Sequence, residues 1–247
     1  MSDDDQIVNE IPTSYPEPMN TLATAPTESS MPGAASAPLA EMAYQRIEEM
    51  IVSRLLPPGA MISENKLSED LGCGRTPIRE ALQRLKFEGY VEIHPRRGAQ
   101  VTPIDVTRQL ELLEVRRPLE DLAVRLAAAR ARPAERADLL RLADEIVAAA
   151  AEGDRARYLR ANRAIHELRA QATHNTMLER TLRPISAMSR RFWYTQIEDT
   201  DSFMRAADLH AATSRAIAAG NATEAVSEVM KLLLLLEELS RQAVDFR

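Results

Sequence analysis

From residue 105 to residue 243 the chain keeps apolar residues at three- and four-residue spacing, broken only near Pro133, Gly153, Asn175, Asp201 and Gly220-Asn221. That spacing puts the apolar side chains of each stretch on one face of a helix. It predicts six helices, over roughly 105–131, 133–152, 154–173, 176–197, 201–219 and 221–243. More than half of a 247-residue chain is thereby committed to helix packing on helix. The composition agrees. Aromatics are 4% of residues, glycines number 8, alternating runs are scarce, and alanine and leucine dominate. These features argue against an all-β fold and a doubly wound α/β fold.

Residues 41–103 follow a different rhythm, with short helical patterns separated by turn signals. A first helix places Ala43, Ile47, Met50, Ile51 and Leu55 at core spacing and stops before Pro57-Pro58-Gly59. Ser63 is an N-cap for a short second helix with Leu67 and Leu71 inward. A third helix follows the turn Gly72-Cys73-Gly74, with Ile78, Ala81, Leu82 and Leu85 toward the core. Two strands, Tyr90 to His94 and Ala99 to Thr102, then flank the turn Pro95-Arg96-Arg97-Gly98. Two helices joined by a glycine turn and followed by a hairpin make a winged helix-turn-helix. The expected fold is therefore mainly α: an N-terminal winged helix-turn-helix with a small β-hairpin, then an all-α helical bundle over 104–247.

The third helix shows what such a module is for. Thr76 is expected to cap it and Pro77 to occupy its first position, where a missing N–H costs nothing. Arg79, Gln83 and Lys86 lie off the core face. Arg75 sits at the helix start, where free N–H groups and the dipole favour phosphate, and an arginine there also reaches a guanine edge through two hydrogen bonds. Arg96, Arg97 and Gly98 form the turn of the wing. Each arginine taken alone reads more readily as a solvated surface charge; the ordered set points to DNA.

Charge is distributed to match. The chain carries a net charge of −6, but Asp3, Asp4, Asp5, Glu10, Glu17 and Glu28 fall in residues 1–40, which hold no lysine or arginine. Six prolines (Pro12, Pro16, Pro18, Pro26, Pro32, Pro38) also fall there, so an acidic, disordered tail is expected. Within 74–103, six cations (Arg75, Arg79, Arg84, Lys86, Arg96, Arg97) face three carboxylates (Glu80, Glu88, Glu92), six minus three leaving +3 where a phosphate backbone would feel it. The single Cys73 excludes an internal disulfide, and no basic leader or membrane-length apolar run is seen. A cytoplasmic protein is the expectation.

The stretch LSEDLGCGRTPIREALQRLKFEGYVEIHPRRGAQVT resembles the DNA-binding domain of the GntR family of bacterial transcription regulators, from about Ala43 to Thr102. That resemblance implicates Arg75, Thr76 and Arg79 in operator contacts, with the wing near Arg97-Gly98 helping. Where many relatives carry a basic residue shortly before the leucine of the second helix, this chain has Asn65 followed by Lys66. The stretches LLEVRRPLEDLAVRLAAARA, NRAIHELRAQATHN and LHAATSRAIAAGNATEA resemble helices of the FadR-like branch, which has an all-helical FCD-type ligand-binding domain. The resemblance implies a homodimer on a pseudo-palindromic double-stranded DNA operator. It further implies regulation, commonly repression, by a small organic acid bound in the helical domain.

Many members of that branch hold a divalent metal with one Asp or Asn and three histidines. Asn162 and His166 are four apart, hence on one helix face, and His210 lies on a later helix. The third histidine of the family pattern falls on Leu232 or Leu233, and no histidine follows His210. Two readings stay open. Asn162, His166 and His210 hold zinc or nickel, as a metal sensor or metal-dependent enzyme; or they line a metal-free pocket that binds the effector's carboxylate beside Arg116. Arg116 reads equally as a salt-bridge partner. Trp193 and Tyr194 border a pocket, a dimer contact or simply the core, and the run Leu232 to Leu236 suggests a helix buried on more than one face. No nucleophile elbow, phosphate-binding glycine loop or Cys-x-x-Cys pair is present, so a regulator rather than an enzyme is expected.

Overall fold

The structure, a computed structural model, describes residues 36–95, 97–196 and 200–245. The expected tail falls largely on residues 1–35, outside the described residues. Helix α1 (Ser36–Val52) already includes the last five residues assigned to it. Ala43, Ile47, Met50 and Ile51 are buried as their spacing predicts. Leu55, expected inward, is instead exposed, and Leu56 is buried in its place. The helix ends at Val52 and Arg54 takes a positive φ of 62°, so the helical phase is lost before Leu55 is reached.

Helix α2 (Glu64–Asp70) begins as predicted, with Ser63 Oγ accepting from Lys66 N. Helix α3 (Arg75–Phe87) buries Ile78, Ala81, Leu82 and Leu85. Its start differs from expectation. Gly74 is the N-cap, without a side-chain cap bond, so Thr76 does not cap the helix and Pro77 is its third residue. Pro77 remains in the first turn, where its missing N–H breaks no helical bond.

The sheet has a strand that sequence periodicity did not show. β1 (Met61–Ile62) pairs with β3 (Gly98–Val101), and β3 pairs with β2 (Val91–His94), all antiparallel in the order β1-β3-β2. A two-residue strand leaves too short a pattern to read. Its cost appears at Gly98, where φ is +93° and a Cβ would lie 2.5 Å from the Ile62 carbonyl oxygen. Only glycine lets β1 approach there.

Six helices follow: α4 (Val106–Arg130), α5 (Pro133–Ala151), α6 (Arg155–Ala172), α7 (Thr176–Gln196), α8 (Thr200–Ala218) and α9 (Ala222–Asp245). Each end falls within about two residues of its sequence reading, because capping groups such as Asp105, Asp154 and Asn221 sit where the apolar pattern breaks. Trp193 is buried core, and Tyr194 packs between the two halves. In the leucine run, Leu232, Leu233, Leu235 and Leu236 are buried and Leu234 faces outward. No helix among the described residues is long and apolar enough to cross a membrane.

The two halves share a junction. Leu159 of α6 and Ala187 of α7 belong to the same apolar cluster as Ile47, Leu82 and Tyr90. Buried polar groups cross it too. Glu48 on α1 accepts from Arg163 of α6 at 2.9 Å and pairs with Arg190 of α7. Tyr90 Oη lies 3.0 Å from Glu48 Oε1 and 2.8 Å from the Ala187 carbonyl. Arg191 donates to the Thr102 hydroxyl just after β3. Burial alone would raise the Glu48 carboxyl, but Arg190 and Arg163 outweigh it and hold it below the usual carboxylate range.

Candidate DNA-binding surface and effector site

The first site is the exposed face of α3. Arg75, Thr76, Arg79 and Gln83 are all solvent-exposed on it, opposite Ile78, Ala81, Leu82 and Leu85. Arg75 opens the helix, at the end where the backbone N–H groups lack helical partners. Arg79 is already engaged: its Nε donates to Glu64 of α2 at 2.7 Å. Across an exposed pair such as this the coupling is weak, roughly 0–1 kcal/mol, so a phosphate or base edge can displace Glu64. Arg97 is exposed at the wing turn. Arg96 lies outside the described residues. Gly98, grouped with the contacts by resemblance, has an evident structural duty beside Ile62.

The second site lies inside the helical half, built from α4, α6, α7 and α8. Arg116, Asn162, His166 and His210 are all buried, as are three residues the sequence reading passed over: Glu120, Arg169 and Ser189. Arg116 donates to Glu120 Oε1 through Nε and Nη2 at 3.1 and 3.0 Å, and to Ser189 Oγ at 2.7 Å. Arg169 Nη2 reaches Glu120 Oε1 at 3.0 Å and His166 Nδ1 at 2.6 Å. Asn162 Nδ2 lies 2.8 Å from His210 Nε2, and the two imidazoles meet edge to face with centroids 5.2 Å apart. Sequence spacing gave one hint of these partners: Glu120 and Arg169 stand four and three residues after Arg116 and His166, one turn along each helix.

Arginine carries no acceptor, so His166 Nδ1 must be the acceptor and its proton sits on Nε2. With Asn162 Nδ2 donating to His210 Nε2, the proton of His210 sits on Nδ1. Burial is the main cause, and the guanidiniums of Arg169 and Arg116 the next, that holds both imidazoles neutral with their pKa well below the usual value. Within this cluster, three buried atoms make no hydrogen bond to the described residues: Arg169 Nη1, His210 Nδ1 and Glu120 Oε2. Two guanidiniums against one carboxylate leave the cluster one positive charge in excess. It offers two unused donors and one unused acceptor.

These residues do not fit a divalent metal. The position of the family's third histidine is filled by Leu232 or Leu233, both buried among apolar side chains. His166 Nδ1 is occupied by Arg169, and the nearby carboxylate is held by two guanidiniums that repel a cation. No group of three His, Cys, Asp or Glu placed to hold an ion occurs among the described residues. This geometry does not support the metal-sensor and metal-dependent enzyme alternatives.

A cavity of about 20 Å³, room for roughly one water, opens beside His166 and is lined also by Tyr44, Leu182, Ser186 and Arg190. Its walls take His166 from the polar cluster and Tyr44 and Arg190 from the junction with the N-terminal half.

Comparison with known proteins agrees with this architecture. Residues 39–101 match the gntR family of bacterial regulatory proteins, and residues 111–234 match the FCD domain. The chain is 31% identical over 144 residues to the uncharacterized HTH-type transcriptional regulator YdhC of Bacillus subtilis, covering 58% of this chain and 64% of that protein. It is 34% identical over 128 residues to an uncharacterized HTH-type transcriptional regulator in the TAR-I ttuE-ttuC' intergenic region of Agrobacterium vitis, covering 51% of this chain and 75% of the other. The match thus spans slightly less than two thirds of the Bacillus protein. Among solved structures, E. coli McbR/YncC superposes with a TM-score of 0.71 at 19% identity, over 83% of this chain and 98% of that one. A basic-faced helix on a winged scaffold, joined to an all-helical FCD domain, makes this chain a member of the GntR family of transcription regulators, in its FadR-like branch.

Proposed function

We propose that the chain is a homodimeric, ligand-responsive repressor that binds a pseudo-palindromic operator through residues 41–103 and releases it when a small organic acid enters the helical domain of residues 104–247. The observation that carries this is the sharing of two helices. α6 presents His166 and Arg169 to the buried cluster and Arg163 to α1. α7 presents Ser189 to the cluster, and the next two residues, Arg190 and Arg191, to Glu48 and Thr102.

The acid's carboxylate would take the donors of Arg169 and His210, and a hydroxyl on the same molecule would satisfy Glu120. The cavity beside His166 is too small for such a ligand. Entry therefore requires Arg116 and Arg169 to give up part of their hold on Glu120 and Ser189. Since Ser189 is on α7, ligand binding shifts the helix whose Arg190 and Arg191 contact the winged module. A ligand alters an equilibrium only by its different affinity for two arrangements, and those exchanged contacts supply the difference.

The test uses duplexes selected from a random library by the full-length protein. Arg75→Ala with Arg79→Ala is expected to abolish sequence-selective binding in fluorescence anisotropy at moderate salt. Unchanged selectivity would overturn the DNA-binding assignment of α3. Separately, a thermal-shift series with small carboxylic and hydroxycarboxylic acids should raise the midpoint of wild type but not of Arg169→Gln. A response that persists in that variant places the ligand elsewhere.

A further inference from the structure

Between α1 and α6 lies an open groove of about 500 Å³, inside the roughly 300–1,000 Å³ range of pockets that hold small molecules. It stands at the junction of the two modules and is far larger than the cavity beside His166. Met42 of α1, with Leu159 and Ala164 of α6, gives it an apolar strip. None of Arg116, Asn162, Arg169 and His210 lines it, so it is separate from the inner cluster.

The charges around this strip are unevenly matched. Glu48 is taken up by Arg163, Arg190 and Tyr90, and Glu167 accepts from Arg163 at 3.0 Å. Arg46 of α1 and Arg160 of α6, from opposite walls, share a single carboxylate, Glu49, over long contacts of 3.4 and 3.5 Å. Both guanidiniums are exposed. One carboxylate cannot neutralise two guanidiniums, so one positive charge is left over between the walls. A second observation concerns Arg190 of α7, which also lines the groove. Arg190 is only 7% exposed, and its Nε makes no hydrogen bond to the described residues. A buried donor without an acceptor is costly, and an incoming oxygen would relieve it.

We infer that this groove is a second ligand site, for a small amphipathic monoanion. A carboxylate sits between Arg46 and Arg160, a compact apolar body lies along Met42, Leu159 and Ala164, and a hydroxyl or carbonyl oxygen accepts from Arg190 Nε. Such a ligand bridges the helix that opens the winged module to the helix that carries His166. Its contacts with both walls are made only while the two modules keep this arrangement, so binding favours it. The site does not depend on the acid proposed for the inner cluster. Arg190 and Glu167 nevertheless line both cavities, so a ligand in one is felt at the wall of the other.

The probe is 6-hydroxy-2-naphthoate, a fluorescent monoanion with a flat apolar body and a distant hydroxyl. Its anisotropy is expected to rise saturably on titration with the full chain. Arg46→Gln with Arg160→Gln should weaken binding about tenfold or more, the loss of a charge-assisted hydrogen bond. Ala164→Trp, which fills the groove, should do the same, and circular dichroism checks that each variant folds. Arg169→Gln, in the inner cluster, should bind the probe as wild type does. The amine 2-naphthylmethylamine, a cation of similar shape, should not displace it. Absence of saturable binding to wild type, or displacement by the amine, would overturn the site. Binding that survives loss of the two arginines but disappears in Arg169→Gln would place the probe in the inner cluster and overturn it equally. 2-Naphthoate, which lacks the hydroxyl, should bind more weakly, and equal affinity would overturn the role given to Arg190. Should Ala164→Trp or Arg169→Gln fail to fold, the exposed arginine pair decides the matter.

Discussion

Arg163 of α6 spans the junction to α1, its Nη1 2.9 Å from Glu48 Oε2 and its Nη2 3.0 Å from Glu41 Oε1. One side chain from the helix that carries His166 and Arg169 thus fixes the position of the helix that opens the winged module. Glu48 is buried and shared with Arg190 and Tyr90, so it is the electrostatic centre of the junction. Removing one partner of a buried pair strands the others without compensation.

Glu48→Ala is therefore expected to cost about 3–5 kcal/mol, since Arg163, Arg190 and Tyr90 all lose an acceptor. Urea unfolding followed by the fluorescence of Trp193 checks it. A loss below about 1 kcal/mol would mean the junction behaves as a solvated surface contact.

The same carboxyl predicts acid behaviour. Its folded pKa lies below the ordinary value. Its stabilisation is thus complete above the unfolded carboxylate value of about 4.3 and is lost as pH falls below it toward the folded value. Midpoints of wild type and Glu48→Gln, measured from pH 5 to pH 3, should converge as the pH drops.

His166 and His210 act in a higher window. Both bind protons more weakly when folded, so the unfolded chain takes up more protons once pH drops below about 6.5. Stability is full above that value and falls by roughly 1.4 kcal/mol per pH unit per histidine below it. His210→Gln should flatten the slope of unfolding free energy between pH 6.5 and pH 5 by about half of the two-histidine contribution. An unaltered slope would show that His210 titrates normally.

On the DNA face, Arg75→Ala is expected to weaken specific binding by about 1–3 kcal/mol, or roughly five- to 150-fold. Glu64→Gln should do the opposite, by a few-fold: it removes a negative charge from the surface and frees Arg79. Anisotropy titrations on one duplex at two salt concentrations separate these effects. Weaker binding by Glu64→Gln would mean that the ion pair positions Arg79 for its contact.

Gly98→Ala should destabilise the winged module by about 1–3 kcal/mol, because its Cβ would meet the Ile62 carbonyl oxygen at 2.5 Å and φ is +93°. Thermal unfolding of the full chain measures it. A neutral result would show that β1 can lift from the sheet without cost.

Local sequence determined what local physics controls. Repeated apolar spacing located the six helices of the C-terminal half, and Ser63, Pro133 and Asn221 set ends because capping is decided within one turn. The face of α3 was equally legible, since Ile78, Ala81, Leu82 and Leu85 define a core side without reference to anything distant. The start of that helix was misplaced by two residues, because Gly74 caps with no side chain to signal it. Tertiary structure alone decided who meets whom. β1 is two residues long and exists only because β3 accepts it. Arg116 and His166 were visible as chemistry, but Glu120, Arg169 and Ser189 became their partners only when α4, α6 and α7 packed. Glu48 finds Arg190 142 positions away. Pairings of that kind carry no local period, and burying a charge is tolerable only where the fold delivers its partner. The same rule surrounds the histidines of an apparent metal-ligand set with two guanidiniums that share one carboxylate.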